Sequence, residues 1–424
     1  MTSAPDATTP ASATERIEQF VHPLANGLTL VAERIPGVRS AAMTLLVPVG
    51  AATDPAGASG SATVLSDWLL RGAGDRDSRD LTSHLDSLGV QRGSGAETMY
   101  LRFSASMLAK NLAAVLPVYG DIVQRPQLPD DGFEPSVDLA IQQLDAIEDE
   151  PSHKLGLLLR QQHYDYPFGR PSVGIKSELE TLSAQRLRAD ALARLTPAGS
   201  ILAVAGIFDF PALKDAVEKA FAGWDRKPAP TAASALAPRG VLHDTRDTNQ
   251  VQIGLGYDSV PESHPDSILV QTANAVMSGG MGARLFSEIR EKQGLCYSVQ
   301  AGYHSLKHIA AIFGYAGTAP DRAQQTLDSF LVELRRLKDG VTQDEFDRAI
   351  TGMKSRVIMQ GESSSARAGA IAYDFYHRGR PRSLAEVRTQ IEGVTLKKVN
   401  DYVAAHPPGA LTVVTIGPKP LEVV

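Results

Sequence analysis

The stretch "SGGMGARLFSEIREKQGLCYSVQAGY", residues 278–303, holds a glycine-rich loop, a helical pattern and a strand pattern in direct succession. Apolar residues recur at helical spacing from Ala283 to about Lys292, and Gly294 ends the helix. On this helix Arg284 and Glu288 are four residues apart, which is the spacing of an ion pair. The stretch therefore predicts a helix that reverses at Gly294 and leads directly into a strand.

The residues after this reversal, "LCYSVQAGY", alternate in hydrophobicity with the period of two that is typical of a half-buried strand. Two faces follow from the alternation, one with Leu295, Tyr297 and Val299 and the other with Cys296 and Ser298. The reversal would also bring Tyr297 back beside Arg290. These two side chains are therefore candidates for a shared site.

The glycine loop that precedes the helix contains Gly279, Gly280 and Gly282. Its sequence "GGMGAR" lacks the Lys-Ser/Thr of a P-loop and does not have the G-x-G-x-x-G spacing, so it does not predict nucleotide binding. Glycine permits positive φ angles and the close approach of another backbone. The loop therefore indicates either a tight turn or a peptide-binding lip.

The two halves of the chain resemble each other. "PAGSILAVAG" at residues 197–206 is similar to "PPGALTVVTIG" at residues 407–417, and each predicts a turn followed by a buried strand. Three pairs of matching positions have nearly the same separation: Pro197 and Pro407 are 210 residues apart, Phe133 and Phe346 are 213 apart, and Gly72 and Gly279 are 207 apart. Shared order and near-constant spacing indicate a duplicated domain.

Each half begins with apolar strands and continues into helices before a returning strand, which differs from a strict alternation of strands and helices. We therefore predict an α+β fold of two homologous domains, each an antiparallel-rich sheet packed with helices. The predicted segments are a mobile N-terminal tail over residues 1–20, a first domain over 21–223, a Pro- and Ala-rich linker over 224–240 and a second domain over 241–424.

The composition excludes several classes of protein. The chain has 424 residues, a net charge of −6 and a single cysteine. No basic face is evident, so nucleic acid is not an expected partner, and one cysteine cannot form an internal disulfide or a zinc site of several thiolates. No run approaches the roughly 20 apolar residues that span a bilayer. The N-terminus lacks the apolar core of a secretory signal, so we expect a cytoplasmic protein, or a periplasmic one if a leader is missing.

The helix "GSATVLSDWLLRGAG", residues 60–74, places Thr63, Ser66 and Asp67 on one polar face. Its surroundings resemble the pitrilysin and insulinase family of zinc peptidases, in which this helix carries the inverzincin motif H-x-x-E-H. Thr63 and Asp67 stand at the two histidine positions, and Ser66 stands at the position of the general base. The third ligand of the family, a glutamate, corresponds to Gln143. The resemblance thus implies no catalytic zinc in this chain, and the polar face is also typical of an ordinary solvated helix.

The segment "RLFSEIREKQGLCYS" resembles the second-half segment of the same family whose arginine and tyrosine assist a zinc site in the opposite half. The arginine corresponds to Arg290 and the tyrosine to Tyr297. The alternatives are an arginine in a surface ion pair and a tyrosine in the half-buried core. Cys296 has no His and carboxylate nearby in the sequence to form a nucleophile arrangement, so we expect it to pack as a small buried residue.

This resemblance extends from about His22 to Pro420 and implies a non-catalytic, substrate-binding subunit of a heterodimeric zinc metallopeptidase. The homologous partner would carry the intact H-x-x-E-H and the zinc, this chain would need no cofactor, and peptides would be the substrates. One alternative is a structural scaffold subunit, and another is a stand-alone peptidase with an unrelated site. A metal at His304 and His308 is not expected, because the surrounding sequence predicts a β-hairpin.

Overall fold

The computed structural model describes residues 17–226 and 235–423. Residues 1–16 of the predicted tail and residues 227–234 of the predicted linker lie outside the described residues. In the remainder of the tail, a strand already begins at Glu18. At the start of the linker, the Trp224 side chain is buried and its indole N–H donates to the Leu195 carbonyl at 2.9 Å, so the first core includes this residue.

The first half contains eight strands and eight α-helices among its described residues. The strands are β1 (Glu18–Pro23), β2 (Thr29–Arg34), β3 (Ser40–Val47), β4 (Gly72–Ala73), β5 (Arg76–Asp77), β6 (Gln91–Ala96), β7 (Leu101–Leu108) and β8 (Ile201–Gly206). The helices are α1 (Ser61–Trp68), α2 (Ser78–Ser87), α3 (Leu112–Gln124), α4 (Asp130–Glu148), α5 (Pro151–His163), α6 (Lys176–Leu179), α7 (Ala184–Arg194) and α8 (Phe210–Ala220).

The second half contains five strands and six α-helices among its described residues, together with one π-helix. The strands are β9 (Val241–Thr245), β10 (Val251–Ser259), β11 (Cys296–Ser305), β12 (Ala310–Thr318) and β13 (Thr412–Gly417). The helices are α9 (Ser267–Ser278), the π-helix (Phe286–Lys292), α10 (Ala323–Arg336), α11 (Gln343–Gly361), α12 (Ser364–Arg378), α13 (Leu384–Glu392) and α14 (Leu396–Ala405).

The two main sheets have the same internal order. The first sheet runs β1-β2-β8-β3-β7-β6, and the second, taken from its other edge, runs β9-β13-β10-β12-β11. In both sheets one pair is parallel, β2 with β8 and β9 with β13, and the remaining pairs are antiparallel. The predicted α+β fold with two sheet-and-helix domains is therefore confirmed, and the repeated strand order agrees with duplication.

Burial follows the hydrophobic pattern of the strands. Every residue of β8 and of β13 is buried, as their continuous apolar runs require. Strand β7 alternates instead, with Leu101 and Phe103 buried and the residues after each of them half-buried. Several helices begin where a side chain caps a free backbone N–H group, among them α2, α7 and α8. Helix α11 begins with a complete capping box between Thr342 and Glu345.

Each half packs one of its helices on the sheet of the other half. Helix α5 of the first half packs on β10 and β13 of the second sheet, where Leu155 and Leu159 contact Val414 and Ile416. A side chain in place of Gly254 on β10 would come within 3.2 Å of both leucines, so glycine there lets the helix lie close to the sheet. The first domain is therefore held to the second by more than the chain connection.

Helix α12 makes the reciprocal contact. It packs on β2, β3 and β8 of the first sheet, where Ile371 and Ala372 belong to a small hydrophobic core between the helix and the sheet. The Arg367 guanidinium on this helix donates to both carboxylate oxygens of Glu33, at 2.6 and 2.7 Å, and both side chains are almost completely buried. Within the described ranges 17–226 and 235–423, no helix combines the length and apolar character needed to cross a bilayer.

Candidate functional site

Arg290 and Tyr297 are positioned by a π-helix and the turn that follows it. Phe286–Lys292 form seven residues of π-helix where the sequence pattern predicted α-helical turns. π-helical turns are rare in proteins, and those that occur are often found at functional sites. Gly294 then adopts φ +64°, a conformation that favours glycine, and the Leu295 N–H donates back to the Ile289 carbonyl at 3.1 Å. The chain thus reverses where the sequence predicted, and it leads from Arg290 into β11.

The Arg290 side chain is exposed and lies over an aromatic ring. Its guanidinium carbon is 4.7 Å from the centre of the Phe286 ring, which is cation–π geometry. Among the residues that the structure describes, no carboxylate lies within ion-pair distance of it. The surface ion pair considered as an alternative for Arg290 is therefore not what the structure contains, and its N–H groups face solvent.

Tyr297 occupies a bulge at the start of β11. In the register with β12, Cys296 pairs with Thr318 and Ser298 pairs with Gly317, so Tyr297 is an extra residue between them. Its side chain is 59% exposed, which excludes the half-buried core position considered as an alternative. A bulge re-aims a side chain and ends regular pairing. The phenol is thereby directed outward.

The bulge also corrects the predicted faces of this strand. Tyr297 and Ser298 are both exposed, whereas Cys296 and Val299 are both buried. The prediction that Tyr297 shares a face with Val299 is wrong, because one additional residue shifts the alternation by one position. Burial raises the pKa of the Cys296 thiol more than the nearby Arg290 charge lowers it, so a neutral buried thiol is expected there.

The predicted ion pair between Arg284 and Glu288 is also wrong. Arg284 is buried and donates to both carboxylate oxygens of Glu345 at the start of α11, each at 2.8 Å. Burial acts to raise the pKa of Glu345, but hydrogen bonds from Arg284 and from the Thr342 N–H outweigh it and lower the pKa to about 2. This contact across the fold fastens the segment before the π-helix to α11.

The glycine loop is exposed and connects α9 to this segment. A Cβ on Gly279 would lie 2.3 Å from the Ala275 carbonyl oxygen, so only glycine fits there. Gly280 adopts φ +155°, and a Cβ there would meet no other atom within 4 Å. The loop thus leaves an open backbone surface, and Gly279, Gly280 and Gly282 line a cavity of about 160 Å³ beside α11.

The polar face of α1 is occupied by internal contacts. The Thr63 hydroxyl donates to the Ser172 carbonyl, and the Ser66 hydroxyl donates to the Thr63 carbonyl at 2.7 Å. Asp67 accepts from Arg71 Nε and from the Ser136 hydroxyl, both at 2.6 Å. All three side chains of this face are half-buried. The face is therefore a hydrogen-bonded contact with neighbouring segments and not a fully solvated helix surface.

These residues do not fit a catalytic zinc ion. Zinc needs deprotonated N, S or O ligands, and α1 offers a single carboxylate, Asp67, that already neighbours the positive charge of Arg71. Gln143 on α4 is exposed and carries a neutral amide. Across residues 17–226 and 235–423, no group of three or more His, Cys, Asp and Glu side chains is arranged to hold a metal ion.

His304 and His308 lie on the predicted β-hairpin, with His304 on β11 and His308 in its turn. His304 Nδ1 is 2.8 Å from the Tyr164 hydroxyl of the first half. Burial is the main cause that lowers the pKa of His304, to about 4. His304 is therefore neutral near pH 7 and belongs to the contact between the halves.

Two arginines beside the glycine loop were not predicted from the sequence. Arg348 and Arg356 line the cavity against the loop, with Gly352 between them. The signal for them is present, because residues four and eight positions apart share a face of a helix. The sequence signal assigns the two arginines to a common site with the glycine loop only once the structure places α11 next to that loop.

The comparisons with known proteins cover both halves. The family description "Insulinase (Peptidase family M16)" matches residues 29–174, and "Peptidase M16 inactive domain" matches residues 181–353. An uncharacterized zinc protease of Mycobacterium tuberculosis H37Rv is 26% identical over 90% of this chain and 89% of its own length. An uncharacterized zinc protease of Bacillus subtilis strain 168 is 24% identical over 88% of this chain and 92% of its own.

Solved structures share the fold over almost the whole chain. A peptidase M16 inactive domain from Pseudomonas fluorescens has a TM-score of 0.84 and 20% identity, covering 96% of this chain and 99% of that one. A protease from Helicobacter pylori has a TM-score of 0.86 and 18% identity, with coverage of 96% and 100%. A chain of Complex III2 from Candida albicans has a TM-score of 0.79 and 17% identity, with coverage of 94% and 95%.

Proposed function

Because this chain belongs to the pitrilysin and insulinase family of zinc peptidases and lacks its H-x-x-E-H motif, we propose that it is the non-catalytic subunit of a heterodimeric peptidase. Its partner is a homologous chain with an intact motif. In the complex this chain binds the peptide and assists its hydrolysis with Arg290 and Tyr297. The substrates are peptides that the complex degrades or processes.

The observation that carries this proposal is the contrast between the two halves. Thr63, Ser66 and Asp67 are engaged in internal hydrogen bonds, whereas Arg290 and Tyr297 are exposed without polar partners among the described residues. An exposed arginine and tyrosine held by a π-helix and a bulge contribute little to the core. Their placement is understandable if they act on a molecule outside this chain.

The two side chains suit the charge that develops during peptide hydrolysis. When water attacks the peptide carbonyl, its oxygen becomes negative, and the Arg290 guanidinium and the Tyr297 hydroxyl donate hydrogen bonds to that oxygen. The partner's zinc, when bound, polarises the attacking water. Removing one such donor costs about 2.7 to 4 kcal/mol of transition-state stabilisation. Because both groups donate directly to the substrate, neither of them requires a metal in this chain.

Among the sheet edges, β11 is the strongest candidate for binding an extended peptide. It forms the edge of the second sheet and carries Tyr297 at its start. A cavity of about 510 Å³ lies next to it, between α5 and the strands β11 and β12, and Arg160, Gln300 and Gly302 are among its lining residues. A peptide that adds a strand here would gain backbone hydrogen bonds. The Gly279–Gly282 loop, on the same domain, would help to admit it.

A structural scaffold is the second candidate function. A chain of similar fold is part of Complex III2 from Candida albicans, which favours this alternative. A scaffold, however, has no need of an exposed guanidinium and phenol that are free of polar partners. We therefore rank the peptidase subunit first.

Hydrolysis of a quenched fluorescent peptide tests the proposal. The assay compares this chain alone, an H-x-x-E-H homologue from the same organism alone, and the two mixed with zinc. Activity that appears only in the mixture supports a divided active site. Equal activity of the homologue with and without this chain, in a complex shown to be assembled by size-exclusion chromatography, would favour the scaffold. Activity of this chain alone after repurification would contradict the proposal.

A further inference from the structure

Two adjoining cavities form one groove in the second domain, between α9, α11 and α12. The smaller, about 160 Å³, lies against the glycine loop, and the larger, about 530 Å³, extends to α12 and α13. Ala275, Gly279 and Arg356 line both of them. We call this continuous space the arginine groove.

The outer part of the arginine groove, which is the smaller cavity, carries two uncompensated positive charges. Arg348 and Arg356 are eight residues apart on α11, so they lie on one face, and both are exposed. Neither has an acidic partner among the described residues. Glu345 lines the same cavity, but its carboxylate is bonded to Arg284. A Cβ on Gly352, between the two arginines, would meet nothing within 4 Å, so the floor between them is open.

The glycine loop adds backbone donors on the opposite wall. The N–H groups of Gly280 and Gly282, which both line the smaller cavity, have no hydrogen-bond acceptor within the described part of the chain. The Arg348 side chain runs past the loop, since its Cδ and Nε lie 3.6 Å from the point that a Cβ on Gly282 would occupy. Arginines and free backbone N–H groups together are the donors that bind carboxylates in proteins.

The inner part of the arginine groove, which is the larger cavity, contains two buried polar atoms without partners among the described residues. Asn274 Nδ2 donates to the Ala301 carbonyl at 3.3 Å, which identifies Oδ1 as the other amide atom, and this oxygen is buried without a partner among the described residues. His377 Nδ1 is likewise buried and unpartnered in the described chain. Desolvation is the main cause that lowers the pKa of His377. Buried polar atoms of this kind normally have a partner, so the Asn274 oxygen fits an N–H group of a ligand and His377 Nδ1 fits a polar backbone group of the same ligand.

The other charges of the inner part are mutually satisfied. Arg382 donates to Asp374 at 2.6 Å and to Glu262 at 3.1 Å, and Arg367 is bonded to Glu33. These pairs leave Arg348 and Arg356 as the charged groups of the lining that are free for a ligand. The groove thus presents donors for an anion at one end and buried polar atoms without partners at the other.

We propose that the arginine groove binds peptides that carry a carboxylate, with the carboxylate at Arg348, Arg356 and the glycine loop, and polar backbone groups at Asn274 and His377. The proposal rests on the proposed function in that it names the class of peptide that this subunit selects. The carboxylate comes either from an Asp or Glu side chain or from the C-terminus of the peptide.

Fluorescence anisotropy on the full chain alone tests this inference, because it measures binding without hydrolysis. One labelled acidic peptide is compared with a copy in which Asp and Glu are replaced by Asn and Gln, and with a C-terminally amidated copy. We expect at least one replacement to weaken binding about tenfold, roughly the effect of losing one hydrogen bond to a charged group. The replacement that does so identifies the source of the carboxylate. Equal binding of all three peptides would overturn the proposal.

Variants locate the binding in the groove. The double variant Arg348→Ala, Arg356→Ala is expected to bind the acidic peptide about tenfold more weakly, with the loss reduced at high salt. Gly352→Leu keeps both charges and fills the floor, so it should weaken binding too. Arg79→Ala, on exposed α2 of the first domain, is the matched control and should bind as the unaltered chain does. Equal effects of Arg79→Ala and the double variant would overturn the assignment.

Two further comparisons separate the outcomes. If inorganic phosphate displaces the peptide as effectively as unlabelled peptide does at equal concentration, the groove is a general anion site and the peptide assignment fails. If acidic peptide binds the groove but Arg290→Ala leaves hydrolysis by the mixed complex unchanged, the inference stands and the catalytic role of Arg290 falls. If Arg290→Ala abolishes hydrolysis and the groove variants bind normally, the reverse holds.

Discussion

Replacement of Arg290 by alanine separates a catalytic contribution from a structural one. The guanidinium contacts the Phe286 ring at 4.7 Å and has no carboxylate partner in the described chain. An exposed cation–π contact contributes about 0.5 to 1 kcal/mol. The free energy of unfolding of Arg290→Ala should therefore fall by no more than about 1 kcal/mol. The partner complex should still assemble.

The expected loss of activity is much larger. If Arg290 donates to the carbonyl oxygen during attack by water, its removal costs about 2.7 to 4 kcal/mol of transition-state stabilisation, which is a roughly 10²- to 10³-fold lower kcat. Arg290→Lys keeps the charge and loses the planar arrangement of donors, so it should recover only part of this loss. The difference between the small stability effect and the large kinetic effect is the signature of the proposed role.

The assay is steady-state hydrolysis of a quenched fluorescent peptide by the zinc-loaded complex, with denaturant unfolding and size-exclusion chromatography of each variant. Lys292→Ala is the matched control, because Lys292 lies on the same π-helix, is exposed and forms only a surface ion pair with Glu288. Unchanged kcat for Arg290→Ala in an assembled complex would refute the reasoning. An equal loss for Lys292→Ala would also refute it, since the effect would then follow net charge.

Three other predictions follow from particular contacts. Tyr297→Phe should lower kcat of the complex about 100-fold without changing the denaturation midpoint, because it removes only the exposed hydroxyl; an unchanged kcat would exclude the phenol as a donor. Arg367→Ala should cost about 3 to 5 kcal/mol in denaturant unfolding, since it leaves the Glu33 carboxylate buried and unpaired; a change below about 1 kcal/mol would contradict this. The Glu345 carboxyl, with its pKa lowered from 4.5 to about 2 in the fold, should stabilise the protein fully above pH 4.5 and lose that contribution as pH falls toward 2. Glu345→Gln should flatten the pH dependence of unfolding in this window, and an unaltered slope would show that the contact with Arg284 does not set it.

The sequence pattern predicted the strands, helices and their duplication well, because burial periodicity is local. The runs "ILAVAG" and "TVVTIG" form fully buried strands, and Gly294 produces the predicted reversal. The pattern failed at Tyr297 and at Arg284. A bulge in the pairing of β11 with β12 decides the first position, and a contact with Glu345 on α11 decides the second. Local periodicity contains neither the pairing register nor the packing of α11.

The candidate site shows the same division. Sequence alone identified Arg290 and Tyr297 through a motif. It also showed that the single carboxylate of Asp67 has only Thr63, Ser66 and Gln143 at the other motif positions, which do not complete a zinc site, because ligand chemistry is a property of the residue type. Whether Arg290 and Tyr297 are exposed or paired is a property of their neighbours in space. The structure settles it by placing one over an aromatic ring and the other on a bulge.

The sequence by itself determined that this protein is a duplicated α+β chain of its family with a degenerate metal helix, since periodicity and residue chemistry are written in local order. Only the tertiary structure decided that α5 and α12 each pack on the sheet of the opposite half and that Glu33 pairs with Arg367. It alone brought Arg348 and Arg356 beside the glycine loop. The physical reason is that these contacts join residues far apart in the chain, so they form only when whole helices and sheets pack together in space.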